Sequence, residues 1–135
     1  MLGKIEHVGI AVKDVDAANL IYEKLLGTAP YKQETVKEQN VTTSFFKAGE
    51  NKIELVAAMD SSSPVAKFID KRGEGVHHIA FAVDDILAEL NRLEKEGFTI
   101  IDKVPKKGAD NKLVAFLHPK GTSGVLVELC QEIKE

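Results

Sequence analysis

Along residues 5–12 bulky apolar side chains alternate with small or polar ones, and the same alternation returns over residues 76–83. The stretch Ile5-Glu6-His7-Val8-Gly9-Ile10-Ala11-Val12-Lys13-Asp14-Val15 aligns without a gap on Val76-His77-His78-Ile79-Ala80-Phe81-Ala82-Val83-Asp84-Asp85-Ile86. A period of two in β-branched and apolar residues predicts a strand in each copy, ending in an acidic turn. Helical spacing follows both, over residues 16–26 and 86–96. Each run stops at a glycine, Gly27 or Gly97, suited to the left-handed position past a helix end. In the second helix Ile86, Leu87, Leu90 and Leu93 fall on a packing side, which leaves Glu89, Arg92, Lys95 and Glu96 for solvent.

Strand candidates separated by turn residues come next in both copies. The first copy has residues 42–47, a turn at Ala48-Gly49-Glu50-Asn51, then 52–57; the second has 113–117, a turn over 118–124, then 125–130. A weaker strand in each, over 29–35 and 99–104, completes a unit of strand, helix, strand, strand, strand that occurs twice. Between the copies, Asp60-Ser61-Ser62-Ser63-Pro64 reads as a loop capping a short helix over 64–71, with proline in its first turn. The expected class is α+β, one domain over residues 1–135. Its first βαβββ module runs from about residue 4 to 59, a linker helix from about 60 to 74, and a second module from about 75 to 133.

Strand parity separates two faces, because successive side chains point to opposite sides of a sheet. Val8, Ile10 and Val12 share one face, as do Ile79, Phe81 and Val83, and these pack under the helices. His7 and His78 take the other face, each followed by very small residues: Gly9 and Ala11, or Ala80 and Ala82. Such a face leaves room beside an imidazole, as a cavity wall does. The same alternation puts Ile53 and Leu55 on the packed face and Glu54 opposite. It also packs Val125, Val127 and Leu129 and leaves Glu128 opposite. A buried carboxylate needs a cation, a proton or a metal. A lone strand histidine or glutamate is ordinarily structural, but here both types recur at corresponding positions with matching parity. Two imidazoles and two carboxylates suit a first-row divalent ion such as cobalt, nickel, manganese, iron or zinc. His77 adjoins His78 yet faces the helices, so it is not expected to ligate. His118, before Pro119, is either a substrate contact or a turn residue.

Composition narrows the function classes. With 44% hydrophobic residues, 135 residues fill a core. Charged residues are 29% of the chain but leave a formal charge of -3, which excludes the basic field that nucleic-acid binding needs. No apolar run reaches membrane-spanning length, and the first twelve residues are too polar for a signal peptide, so a cytoplasmic location without membrane attachment is expected. The single cysteine, Cys130, cannot form an internal disulfide and reads as a packing residue.

The strand repeat, the helix-stopping glycines and the two-plus-two ligand set resemble the vicinal oxygen chelate superfamily, over nearly the whole chain. Its members include glyoxalase I, extradiol dioxygenases, methylmalonyl-CoA epimerases and metal-free antibiotic-binding proteins. Four stretches together resemble the epimerase family: Glu74-Gly75-Val76-His77-His78-Ile79-Ala80, Ser63-Pro64-Val65-Ala66-Lys67-Phe68, Phe116-Leu117-His118-Pro119-Lys120 and Gly124-Val125-Leu126-Val127-Glu128-Leu129. The resemblance implies one cupped mixed sheet around a metal site with helices outside. It also implies an acyl-CoA substrate and one divalent ion per chain, cobalt foremost and manganese, nickel or zinc as alternatives, held by His7, Glu54, His78 and Glu128. A homodimer is the default assembly of such proteins.

The implied reaction moves the proton on the carbon between a thioester and a carboxylate, with the metal stabilising the enolate. Glu128 and Glu54 are the candidate acid and base, while His118, Lys120 and Thr43 are candidate substrate contacts. Some members carry a glutamate as second base on the strand after a stretch aligned here with Glu38-Gln39-Asn40-Val41; this chain has Thr43 there, too weak a base to replace it. A glyoxalase-type lactoylglutathione lyase, or a metal-free binding protein of the same fold, are the alternatives. The fourth protein ligand argues against an iron dioxygenase.

Overall fold

Asp14 and Asp85, the acidic turn residues of the repeat, each convert a strand end into a helix start. The Asp14 carboxylate accepts from the backbone N–H of Asp16 (2.9 Å) and Ala17 (3.3 Å), and that of Asp85 accepts from Ala88 N–H (3.1 Å). These caps satisfy amides that lack helical partners. They open helices α1 (Val15–Leu26) and α3 (Ile86–Lys95). Gly27 ends α1 with φ 72° and returns its N–H to the Glu23 carbonyl. The linker helix α2 (Pro64–Arg72) starts as the sequence predicts, with Ser63 Oγ accepting from Val65 N–H (3.2 Å).

The computed structural model describes residues 1–134. Its strands are β1 (Ile5–Ala11), β2 (Lys32–Val36), β3 (Val41–Ala48), β4 (Asn51–Ala58), β5 (Gly75–Ala82), β6 (Lys106–Lys107), β7 (Lys112–Leu117) and β8 (Val127–Glu132). With the three helices they make the α+β class that the repeat predicts. The chain divides into two compact units, one spanning His7–His77 and the other combining Met1–Glu6 with residues 78–134.

In the first unit the strand order is β2-β3-β4-β1, with β1 parallel to β4 and the rest antiparallel. Val12, Ala18, Phe46, Leu55 and Ala57 form its buried cluster, joined by Ile10, Val15, Tyr22, Leu26 and Ile53. The packed face of β1 and β4 is therefore the one that alternation assigned to the helix side.

The second unit repeats the plan with the order β5-β8-β7-β6. Its core holds Val83, Ile86, Leu90, Leu93, Ile100, Ala115, Leu117 and Leu129. Residues 1–6 extend it: Gly3 N–H donates to Ala82 O (2.8 Å) and Ala82 N–H to Lys4 O (2.9 Å). Glycine is required there, since a Cβ at position 3 would meet the Ala82 oxygen at 2.9 Å.

Four expectations fail in this unit. Residues 99–104 form no strand: Ile100 makes a single bridge to Leu117, and β6 follows after Pro105. The reason is local, because the Asp102 carboxylate takes the Phe116 N–H (3.0 Å) that a backbone ladder would use, and Pro105 has no N–H to offer. Val125 lies before β8 and is 40% exposed, not packed. Leu87, at 63% exposure, points off the packed stripe of α3. Glu89, expected in solvent, is buried because it pairs with two cations, Arg92 (Nε–Oε2 3.0 Å) and the Met1 amino group (2.9 Å).

Candidate metal centre

The register of β1 on β4 puts Gly9 opposite Glu54, and that of β3 on β4 puts Phe45 opposite the same residue. Glu54 thus has a residue without a side chain on one flank and an aromatic ring on the other. The open flank admits the imidazole two residues before Gly9: His7 Nε2 lies 3.3 Å from Glu54 Oε1. The Phe45 ring stands against His7 at 88°, with 6.0 Å between centroids.

The other unit reproduces this construction. Ala80 and Phe116 are the partners of Glu128 in β5 and β7. His78 Nε2 lies 3.1 Å from Glu128 Oε1, and the Phe116 ring stands against His78 at 85° and 6.0 Å. The small residue two positions after each histidine, Gly9 or Ala80, is therefore what lets imidazole and carboxylate meet.

All four side chains are buried, at 4–5% exposure, and each offers one atom of a metal-ligating type. The donor chemistry of these residue types fits a divalent ion: two neutral imidazoles and two carboxylates would together cancel a charge of two. Nitrogen and oxygen donors without thiolate suit cobalt, nickel, manganese or zinc.

Phe45 and Phe116 escaped the sequence reading. Alternation alone does not tell which of the neighbouring Phe45 and Phe46 faces the ligands, and cross-strand register is not written in either strand. His77, by contrast, stacks edge-on against Phe68 of α2 (4.9 Å, 76°), on the helix side as parity predicts.

The remaining candidates sit apart in chemistry. Thr43 is fully buried on the Phe45 side of β3, and its hydroxyl donates to the Glu34 carbonyl (3.4 Å). His118 is exposed at the end of β7; its Nδ1 accepts from Lys120 N–H (3.0 Å), which puts the proton of the neutral ring on Nε2. Lys120 is exposed in the turn that follows. No helix among the described residues is long and apolar enough to cross a membrane.

Residues 6–116 match the family model of the Glyoxalase/Bleomycin resistance protein/Dioxygenase superfamily. The chain belongs to that superfamily. An ethylmalonyl-CoA/methylmalonyl-CoA epimerase of Cereibacter sphaeroides is 41% identical over 133 residues, covering 97% of this chain and 99% of the relative. The mitochondrial methylmalonyl-CoA epimerase of Homo sapiens is 39% identical over 131 residues, 96% of this chain and 74% of that one. A variant of Streptomyces coelicolor methylmalonyl-CoA epimerase in complex with 2-nitronate-propionyl-CoA superposes with a TM-score of 0.94 at 33% identity, covering 98% and 96% of the two chains. The fold is thus that of the superfamily, as the repeat and its resemblance implied.

Proposed function

We propose that this protein interconverts the (R) and (S) epimers of methylmalonyl-CoA, with His7, Glu54, His78 and Glu128 together holding one divalent ion. The observation that carries this reading is the repeated His Nε2–Glu Oε1 pair, at 3.3 and 3.1 Å, buried in equivalent strand positions. Support comes from the relatives named as epimerases along nearly the full chain. The Cereibacter protein's name adds ethylmalonyl-CoA, so a slightly longer branch on the reacting carbon is a second substrate to examine.

When bound, the ion supplies Lewis-acid stabilisation of negative charge on the thioester oxygen. The chain's own groups move the proton. Glu128 withdraws it from the carbon between thioester and carboxylate, and Glu54 delivers one to the opposite face; the roles exchange in reverse. Thr43 takes no part in this transfer, because its hydroxyl is far too weak an acid and base and is committed to the Glu34 carbonyl. His118, through its Nε2–H, and Lys120 contact the substrate.

The test is an NMR assay of methylmalonyl-CoA epimerisation in deuterium oxide, after chelation and readdition of cobalt, nickel, manganese or zinc. Exchange of the carbon-bound proton and loss of stereochemical purity are expected together. Failure with every metal would overturn the reading. Glu54→Gln and Glu128→Gln should each block exchange from one face; full exchange and epimerisation by either would remove that residue from the relay.

A further inference from the structure

Helix α1 is apolar on two sides. Val15, Ala18, Tyr22 and Leu26 join the buried cluster of the first unit. Leu20, Ile21 and Leu25 are 62%, 62% and 70% exposed on the other side, where Ala17, also exposed, extends the stripe toward the helix start. This is the spacing of a packing stripe, and a helix that is apolar on both sides is ordinarily covered on both. Apolar residues scattered singly over a surface need no explanation; a contiguous stripe marks a contact.

The duplication supplies a comparison within the chain. Continuing the gapless alignment of the repeat puts Asn91 at the position of Leu20, Arg92 at that of Ile21 and Glu96 at that of Leu25. The second module thus covers its core with Ile86, Leu90 and Leu93 of α3 while the outer side of that helix is polar, apart from Leu87 near its start. The outward stripe of α1 is therefore not demanded by the module fold.

Two charges frame the stripe. Asp16 and Lys24, both exposed, lie four residues before and four after Leu20, which puts them on its side of the helix. Neither has an ion-pair partner among the described residues. A second α1 laid antiparallel on the first, about a two-fold axis beside Leu20, brings Asp16 of each copy to Lys24 of the other. One sequence then satisfies both pairs, which is the self-complementarity of a two-fold contact. Parallel helices would instead set like charges against each other.

We infer that α1 docks antiparallel on α1 of a second copy of this chain, with Leu20, Ile21 and Leu25 at the centre and two Asp16–Lys24 pairs at the rim. An apolar centre within a polar rim is the ordinary anatomy of a protein–protein contact. The charges favour a second copy over a lipid surface, because one acid and one base border the stripe where a membrane-lying helix carries several cations.

The test reads mass and does not depend on turnover. Sedimentation velocity of the full chain at about 100 μM is expected to show a dimer. Leu20→Glu/Leu25→Glu should raise its dissociation constant roughly 100-fold or more, since association would bury unpaired charge, with an unchanged far-ultraviolet dichroism spectrum. Leu87→Glu on α3 should leave the dimer unaltered. Asp16→Lys and Lys24→Asp should each weaken association roughly tenfold, because each turns two attractions into two repulsions. Mixed with each other, these two single variants should regain the wild-type affinity, as opposite charges then meet at both rim positions. A wild type that stays monomeric would overturn the inference, and its sedimentation with phosphatidylglycerol vesicles would assign the stripe to lipid. A dimer indifferent to Leu20→Glu/Leu25→Glu would overturn it as well, and so would a mixture that fails to recover.

Discussion

The two phenylalanines beside the histidines set how each imidazole is presented. Edge-on aromatic contact restricts rotation of the ring, and residues that orient ligands in this way govern affinity without touching the ion. Phe45→Leu and Phe116→Leu are each expected to weaken cobalt binding by roughly 10- to 100-fold, read by titration of the visible cobalt absorption. Phe81→Leu, on the helix side of β5, should cost stability but leave cobalt affinity intact. Equal cobalt affinity in all three variants would show that the rings only fill space. The histidines allow a sharper comparison between neighbours in sequence. His78→Ala should abolish cobalt binding at concentrations that saturate the wild type, whereas His77→Ala should retain the absorption spectrum, since that ring packs on Phe68.

At the scale of elements, helix α1 is tied to the sheet by a polar contact inside an otherwise apolar packing. Buried Asn19 accepts from Ser44 Oγ (2.6 Å) and donates to Gln33 Oε1 (3.0 Å), linking α1 to β3 and β2. Asn19→Ala leaves the fully buried Ser44 hydroxyl without this partner and is expected to cost about 1–3 kcal/mol, read from the urea midpoint. Helix α3 carries the analogous anchor in Glu89. Hydrogen bonding from Arg92, then from the Met1 amino group, holds its carboxyl below the ordinary glutamate range. A carboxyl with a depressed folded pKa contributes stability above its unfolded pKa, about 4.3, and loses it as pH falls through the lower folded value. The wild type should therefore lose its stability advantage over Glu89→Gln on acidification below pH ~4.3, and parallel urea midpoints of the two proteins across that range would refute the pairing.

These same elements show what was legible beforehand. Helix bounds were readable because Asp14, Asp85, Ser63 and Gly27 are local signals whose hydrogen bonds close within a few residues. The ligand residues were readable because parity is also local, and the duplication repeated it. Glu89 was misread because its partner Met1 is remote in sequence, and residues 99–104 because a side chain, Asp102, displaced the ladder. Phe45 and Phe116 depend on cross-strand register, which no single strand contains.

For the whole molecule, the proposed ion takes ligands from both modules, so its binding energy enters the stability of the folded chain. A ligand bound only by the native state adds RT ln(1 + [L]/Kd), about 2.7 kcal/mol at a hundredfold excess over Kd. For a chain of this size that corresponds to a rise of roughly 10 °C in Tm. Chelation should reverse it. The carboxylates and imidazoles must be free of protons to ligate, so the gain is expected to grow as pH rises from about 5 to 7. His7→Ala and His78→Ala remove ligands from different modules, and if one ion uses both, each should erase the whole metal-dependent increment. Were the increment merely halved in each, the modules would bind metal independently, and the single shared site would be wrong even with both His–Glu pairs intact. Calorimetric scans of the two variants with and without cobalt at pH ~7 decide between these outcomes, without reference to turnover.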